Sequence, residues 1–180
     1  MNEKSEKLAR KLAGIMYATY FKTRFGSRFD GSSFILRKAS LVRVSRGAHI
    51  SIGRNTFIER GARIVVKSSL SIGDNVYIGK NATVVAFSKL VIESDTLIGE
   101  NVSIHTENHG PFFAREQFSS SPIHIGKRVW IGAGAVVTSG VSIGSGVTVG
   151  ANSVVNKTFP ENCLIAGVPA KLIKKYEEQV

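Results

Sequence analysis

The sequence predicts an all-β fold, a parallel β-helix built from six-residue repeats, with an N-terminal helical segment and a short C-terminal helix. Three observations predict it. Ile or Val recurs every six residues, glycine follows that residue in many repeats, and a small or modest side chain often stands four places after it. A period of six fits neither the 3.6 residues of a helical turn nor the alternation of a strand. Each repeat must therefore contain one short strand and one turn.

Fifteen aliphatic positions carry this repeat, and all of them are β-branched. Three hexapeptides make one three-sided coil, so the aliphatic side chains of successive coils stack inside and neighbouring coils pair their backbones. Burying each side chain stabilises the fold by about 1.5–3 kcal/mol. The predicted interior positions are Ile52, Ile58, Ile64, Ile72, Ile78, Val84, Ile92, Ile98, Ile104, Ile125, Ile131, Val137, Ile143, Val149 and Val155.

The sequence divides into three parts. Residues 1–30 form a basic amphipathic helical segment, residues 31–160 the β-helix with an extruded loop at 110–122, and residues 161–180 a turn and the short helix. A helix from about Ser5 to Phe21 would either pack on the open end of the β-helix, shielding its unpaired edge, or touch a membrane surface. One apolar face is expected to contain Leu8, Leu12, Ile15, Met16 and Thr19.

The charge is concentrated near the N-terminus. The net charge is +11, and residues 1–50 alone hold 11 Lys/Arg against 3 Asp/Glu. We expect residues 1–28 to make peripheral contact with an anionic membrane, because such a segment attracts lipid headgroups. No nucleic-acid module or aromatic platform accompanies the charge, so nucleic acid is not an expected partner. With one cysteine and no apolar run of about 20 residues, the expected location is the cytoplasm, at the inner face of the membrane.

The repeat breaks between Ile104 and Ile125, where "GPFFAREQFSSSP" contains no hexapeptide. Just before this break, His105 and His109 flank "TEN" at the point where a regular scaffold meets a loop. A histidine so placed suits a general base, since its unperturbed pKa lies near 6.5. His49 and His124 lie within coil stretches and are expected to be solvated.

The rows "SIGDNVYIGKNATV" and "IGKRVWIGAGAVVTSGVSIGSGVTVGANSVV" resemble the bacterial hexapeptide-repeat acyltransferases, which include maltose, galactoside, nodulation and surface-polysaccharide O-acetyltransferases. This resemblance implies a left-handed coil, an exception to the usual right-handed crossover. It also implies a homotrimer with active sites between subunits, acetyl-CoA as co-substrate and no metal.

The same resemblance implies roles for single residues. His109, followed by Gly110 and some twenty residues ahead of "VWIG", matches the catalytic base. Glu107 could orient its ring, but a solvated surface carboxylate is the expected role of this residue. His105, Arg115 and Trp130 are the expected acceptor-binding residues. An asparagine that assists the acceptor in sugar acetyltransferases should fall near Phe87-Ser88 and is absent, which leaves the acceptor open.

The C-terminal stretch "GANSVVNKTFPENCLIAGVPAKLIKK" resembles the CoA groove of the family. The resemblance implies backbone contacts from the small corner residues to the pantetheine arm, contacts near the adenine, and two ammonium groups that meet phosphates. Cys163 is expected to be ordinary packing. The implied pantetheine contacts are Ala133 and Ala151, the residues near the adenine are Asn156 and Lys157, and the lysines that meet the phosphates are Lys171 and Lys174.

The expected function is transfer of an acetyl group from acetyl-CoA to a saccharide hydroxyl, on a surface-polysaccharide precursor. One alternative is a zinc enzyme like the γ-class carbonic anhydrases, which share the "GVPAK" ending but need three histidines, two of them spaced H-x-x-x-x-H. His105 and His109 are spaced H-x-x-x-H, and no histidine occurs between Ile52 and Ile104. A non-catalytic structural β-helix is the other alternative, and it would not need the histidine, the loop and the CoA-like ending together.

Overall fold

The computed structural model describes residues 3–111 and 116–177. Within them, six complete three-stranded coils stack along one axis, and each coil contributes one short strand to each of three parallel sheets. We name these sheets faces A, B and C in the order in which the chain visits them.

The strands of the three faces are short, two to four residues each. Face A contains β1 (Phe29–Gly31), β4 (His49–Ile52), β7 (Ser69–Ile72), β10 (Leu90–Ile92), β15 (Ile123–Ile125) and β18 (Ser142–Ile143). Face B contains β2 (Phe34–Leu36), β5 (Thr56–Ile58), β8 (Tyr77–Ile78), β11 (Leu97–Ile98), β16 (Trp130–Ile131) and β19 (Thr148–Val149). Face C contains β3 (Leu41–Val44), β6 (Arg63–Val66), β9 (Thr83–Ala86), β12 (Ser103–His105), β17 (Val136–Val137) and β20 (Val154–Val155).

The interior line predicted from the repeat is confirmed. All fifteen aliphatic side chains are buried, with at most 2% of their surface exposed. The strand register stacks similar side chains on one another: on face B the successive partners are Ile58, Ile78, Ile98 and Ile131. The core is therefore a column of branched aliphatic side chains, closed by backbone hydrogen bonds between coils.

The N-terminal helix α1 (Glu3–Phe25) is longer than predicted and is followed by a single 3-10 turn, Gly26–Arg28. Its inner face packs on the first coil, where Phe21 lies 5.1 Å from Phe34 and 5.4 Å from Phe29 between ring centroids. Gly14 permits the close approach, because a Cβ there would lie 2.5 Å from the Ser33 hydroxyl oxygen. The helix thus covers the open end of the β-helix.

The predicted apolar face of α1 is not the face that packs. Leu8, Leu12, Ile15 and Met16 are 45–61% exposed, whereas Ala18, Phe21 and Phe25 are buried. The helix therefore has two apolar sides, an inner one against the coil and an outer one that no described residue covers.

The short C-terminal helix was a wrong expectation. The chain instead forms an antiparallel hairpin of β21 (Cys163–Gly167) and β22 (Ala170–Lys175), and β21 extends face B beside β19. The last coil leaves unpaired backbone groups at this edge, and strand pairing satisfies them. An isolated helix of so few residues would be marginal in water.

The break in the repeat holds a second hairpin. Strands β13 (Glu107–His109) and β14 (Phe118–Ser120) pair antiparallel between the fourth and fifth coils. The excursion therefore begins at Glu107, three residues before the predicted start. Its base is tied to the coil, since the Thr106 carbonyl accepts from the Ser121 amide at 2.9 Å and from the Ser139 hydroxyl at 2.6 Å.

No helix in the described part of the chain is long and apolar enough to span a bilayer.

Candidate active site

A basic groove runs across the first four coils on face C and encloses about 690 Å³. Register aligns Arg43, Val65, Val85 and His105 as successive partners along it. Val65 and Val85 are buried and form an apolar floor. The cationic side chains that line the groove are Arg24, Arg43, Arg63 and Lys67.

His105 and Glu107 form a pair at one end of the basic groove. The His105 Nδ1 lies 2.8 Å from Oε1 of Glu107, and the Glu107 side chain is only 16% exposed. Its second oxygen, Oε2, is buried without a partner among the described residues. A carboxylate in this position holds the proton on Nδ1 and leaves Nε2 as an acceptor. Glu107 therefore orients His105 rather than His109, and it is not the solvated surface carboxylate that the sequence led us to expect.

His109 lies further along, at the end of β13, and is exposed. Its ring is 5.5 Å from the Phe118 ring, which is 5.1 Å from the Phe87 ring at the wall of the groove. Its backbone N–H donates to Asn108 Oδ1 at 3.0 Å. No carboxylate contacts the His109 imidazole within the described ranges. The hairpin thus places His109 beyond the groove, joined to it by two aromatic rings.

Thr106 lies between β12 and β13, the strands that carry His105 and His109, and anchors this junction; sequence reasoning missed it. Its buried hydroxyl accepts from the amide N–H groups of Phe87 and Ser88 at 2.8 and 3.0 Å. This is where the family asparagine was expected, so a threonine bond to the backbone occupies that neighbourhood. The only sequence signal was a polar residue two places after the interior Ile104.

The corner side chains at the edge between faces B and C differ from one end of the stack to the other. Backbone hydrogen bonds place Arg60, Lys80, Glu100, Ala133 and Ala151 at equivalent corners of successive coils. The first three side chains are long and charged, whereas the last two are methyl groups. Neither alanine amide N–H has an acceptor within the part of the chain that the structure describes. The last two coils therefore offer a narrow edge with two free donors.

The remaining predicted CoA residues lie at the C-terminal end and are all exposed. Asn156 and Lys157 follow β20, and the Lys157 ammonium lies 5.5 Å from the centroid of the Phe159 ring. Lys171 and Lys174 stand on β22, where they pair with Ala166 and Leu164.

The structure does not bring all the predicted acceptor residues together within one chain. Trp130 is 55% exposed on face B, between Leu97 and Thr148, whereas His105 lines the groove on face C. Arg115 lies outside the described residues. His49 and His124 are exposed as predicted, and His124 Nε2 lies 2.9 Å from Glu93 Oε1.

Cys163 is fully buried, and its Sγ lies 3.3 Å from the Pro160 carbonyl oxygen. Burial raises the pKa of this thiol above its usual value, with Lys175 opposing the shift. The protonated thiol is a poor nucleophile. Cys163 is therefore a buried residue that packs in the core, as the sequence indicated.

The described residues contain no group of three His, Cys, Asp or Glu side chains that could hold a metal ion.

The fold and the two repeat-bearing stretches define a class, the hexapeptide-repeat parallel β-helices with an extruded hairpin. Residues 122–157 match the family model described as "Bacterial transferase hexapeptide (six repeats)", and residues 69–87 match "Hexapeptide repeat of succinyl-transferase". The resemblance to the hexapeptide-repeat transferases is thereby confirmed over these two stretches.

A curated relative is the putative lipopolysaccharide biosynthesis O-acetyl transferase WbbJ of Escherichia coli (strain K12), 38% identical over 90 residues. The match covers 43% of this chain and 46% of that protein. The chain thus spans less than half the length of the curated relatives that it matches.

Two solved structures are similar over most of their length. The hexapeptide-repeat acetyltransferase VCA0836 of Vibrio cholerae O1 biovar eltor, complexed with acetyl-CoA, is 26% identical with a TM-score of 0.62, covering 96% of this chain and 84% of that one. AntD, an N-acyltransferase from Bacillus cereus in complex with dTDP and CoA, is 21% identical with a TM-score of 0.76, covering 89% and 90%. These neighbours confirm the parallel β-helix fold.

Proposed function

We propose that the protein is an acyltransferase that moves the acetyl group of acetyl-CoA to a hydroxyl of a saccharide on a surface-polysaccharide precursor. One observation carries the proposal. The hairpin that bears His109 leaves the stack between two different surfaces, the basic groove of the first four coils and the small-residue edge of the last two. A donor and an acceptor can therefore approach the same imidazole from opposite directions.

The relatives support this choice of chemistry. WbbJ is named as an O-acetyl transferase of lipopolysaccharide biosynthesis, and VCA0836 was solved with acetyl-CoA. AntD is an N-acyltransferase, so the fold also serves amine acceptors. We favour a hydroxyl acceptor because a hydroxyl must lose its proton to attack, and a histidine stands where a base is needed.

The donor fits the edge of the last two coils. Ala133 and Ala151 leave room for a narrow pantetheine arm, and their free N–H groups can donate to its amides. Lys171 and Lys174 are placed to meet the phosphates, and Asn156 and Lys157 the adenine. Acetyl-CoA supplies an activated thioester, and no metal takes part in this scheme.

The acetyl transfer needs one proton acceptor and one oxyanion site. His109 takes the proton of the acceptor hydroxyl as the hydroxyl oxygen bonds to the thioester carbonyl carbon. The carbon–sulfur bond then breaks, and the CoA thiolate leaves with the proton returned by the His109 imidazolium. A backbone N–H stabilises the negative charge on the carbonyl oxygen. His105, held by Glu107, binds the acceptor at the end of the groove, together with Arg115 and Trp130.

Trp130 can reach the groove of face C only from another copy of the chain, since it lies on face B. We therefore propose a homotrimer with active sites between subunits. The outer side of α1, apolar and flanked by Lys11 and Lys22, is the proposed contact of residues 1–28 with an anionic membrane at its cytoplasmic face. That location would bring the enzyme to lipid-linked acceptors.

The decisive experiment compares His109→Ala with wild type for acetyl turnover over a panel of sugars. General base catalysis contributes about 10²–10⁴-fold, so we expect kcat to fall by about 100-fold or more. Acetyl-CoA affinity, measured by calorimetry, should remain within about twofold, and His49→Ala on face A should behave as wild type.

A parallel His105→Ala variant distinguishes the two imidazoles. It should raise the acceptor KM more than it lowers kcat. If instead His105→Ala abolishes turnover and His109→Ala retains it, the base is the His105–Glu107 pair. Absence of any heat with acetyl-CoA would favour a structural β-helix.

A further inference from the structure

The basic groove on face C carries more positive charge than acetyl transfer to a neutral sugar requires. Arg24, Arg43, Arg63 and Lys67 line it, and the only carboxylate in its lining is Glu107. That carboxylate is already engaged by His105 at 2.8 Å. The lining therefore has four cations and no acid left to neutralise them.

Three of these cations have no partner within the described ranges. Arg43, Arg63 and Lys67 are exposed and form no ion pair there. Two other exposed cations of the stack do have carboxylate partners: Arg54 binds Asp74 at 2.8 Å and Lys80 binds Glu100 at 3.3 Å. The groove thus combines three exposed cations that have no carboxylate partner among the described residues.

The floor of the groove sets the shape of the ligand. Val65 and Val85 are buried beneath the cations, and Phe87 closes the end nearest the histidines. An anion held between Arg43 and Arg63 would lie two to three coils below His105, because Arg43 is in the first coil, Arg63 in the second and His105 in the fourth. Parallel strands are about 4.8 Å apart, so this distance is on the order of 10–15 Å. That length accommodates a diphosphate followed by one sugar.

The donor phosphates do not account for this charge. The proposed CoA residues Ala133, Ala151, Lys171 and Lys174 belong to the last two coils and the terminal hairpin, beyond the His109 hairpin. The groove belongs to the first four coils, on the opposite side of that hairpin.

We infer that the acceptor is a glycosyl diphosphate, whose phosphates bind Arg43, Arg63 and Lys67 while its sugar reaches His105 and His109. The inference rests on the proposed acetyl transfer and narrows its substrate class. Arginine binds phosphate oxygens with charge-assisted, bidentate hydrogen bonds. The diphosphate can come from a nucleoside diphosphate sugar or from a lipid-linked sugar, and the groove recognises the chemistry that both share.

The test uses inorganic pyrophosphate as probe, titrated calorimetrically into the full-length protein saturated with CoA. We expect binding to wild type, and binding weaker by about tenfold in Arg43→Ala and in Arg63→Ala. Arg46→Ala removes an equal, exposed charge outside the groove and should bind as wild type does. CoA affinity should be unchanged in all four proteins.

Turnover identifies the source of the diphosphate. UDP-N-acetylglucosamine and a short prenyl diphosphate N-acetylglucosamine are compared with free N-acetylglucosamine, and the groove variants should raise KM only for the diphosphate acceptors. The inference fails if wild type does not bind pyrophosphate, or if Arg46→Ala lowers pyrophosphate affinity as much as Arg43→Ala and Arg63→Ala do. It also fails if Arg43→Ala and Arg63→Ala lower the affinity for CoA instead of that for pyrophosphate. Pyrophosphate binding without turnover of any acceptor would uphold the anion site and contradict the proposed acetyl transfer.

Discussion

At the scale of single residues, the Thr106 hydroxyl holds the junction between β12 and β13 in place. Thr106 accepts hydrogen bonds from two backbone amides of the preceding coil, and its own carbonyl accepts from Ser121 and Ser139. The residues on either side of it form the His105–Glu107 pair. Its side chain therefore links the end of face C to the start of the hairpin.

Thr106→Val keeps the shape of the side chain and removes the acceptor. Two amide N–H groups then lose their partner, and each unsatisfied buried group costs about 1–3 kcal/mol. We expect the chain to be destabilised by about 2 kcal/mol or more, which lowers Tm by roughly 4–8 °C for a protein of this size.

Thr83→Val is the matched control, because Thr83 points outward on the same face and makes no side-chain hydrogen bond within the described ranges. Its Tm should stay close to that of wild type. A Tm for Thr106→Val equal to that of Thr83→Val would show that the hydroxyl does not hold the strand.

Prediction from the sequence was most accurate for residues that follow the repeat and least accurate for residues beside the break in the repeat. Every predicted interior Ile or Val is buried, since one period determines their direction. The partner of Glu107 could not be predicted, because the hairpin begins at that residue and its geometry has no repeat. Thr106 was missed for the same reason.

At the scale of elements, α1 shows how an amphipathic pattern can mislead. The pattern indicated one apolar face with Leu8, Leu12, Ile15 and Met16, yet the coil is covered by the aromatic side around Phe21. Both sides of the helix are apolar, and only the end of the coil, lined by Phe29 and Phe34, determines which side it binds. The outer side is left available for another surface.

The outer side of α1 predicts binding to anionic vesicles. Wild type should sediment with vesicles of phosphatidylglycerol and phosphatidylcholine and not with phosphatidylcholine alone, because lysines flank the apolar side chains. Leu12→Glu combined with Met16→Glu should abolish sedimentation without loss of fold, since both positions are exposed.

Adding the same two charges on face A, as His49→Glu with Ser71→Glu, should leave vesicle binding in place. If the α1 double variant keeps its lipid binding, the helix is not the membrane contact. If it changes the oligomeric mass instead, the outer side binds a second copy of the chain.

The C-terminal element was misjudged because local sequence does not reveal an open sheet edge. "AKLIKKYEEQV" has the composition of a short helix, yet residues Ala170–Lys175 pair with β21. That pairing partner exists only after six coils have stacked and left face B unfinished. The repeat predicted the stack of coils but not the β21–β22 hairpin that covers its C-terminal end.

At the scale of the whole molecule, the three faces have different outer surfaces. Face A presents mainly polar residues, and face C holds the basic groove. Face B presents a row of apolar side chains that only Thr148 interrupts among the described residues, and register aligns its members as Ile35, Phe57, Tyr77, Leu97, Trp130, Thr148 and Leu164. The sequence predicted three-sided coils, but this row became visible only once the corner insertions and the hairpin had set the register between coils.

The apolar row of face B is the surface we expect to hold the trimer together. Leu97 and Trp130 are neighbours on it and are 48% and 55% exposed. Exposed apolar surface of this continuity is typical of protein–protein contacts. Light scattering after size-exclusion chromatography should therefore give wild type the mass of three chains.

Leu97→Glu combined with Trp130→Glu should give the mass of one chain, because two charges would be desolvated at every contact. Val91→Glu adds a charge at an outward position of face A and should leave the trimer intact. The monomeric variant should also lose acetyl turnover, since Trp130 of one copy would no longer reach the groove of another, while pyrophosphate should still bind the groove. A double variant that remains trimeric would mean that face B is not the contact and that Trp130 has no place at the acceptor.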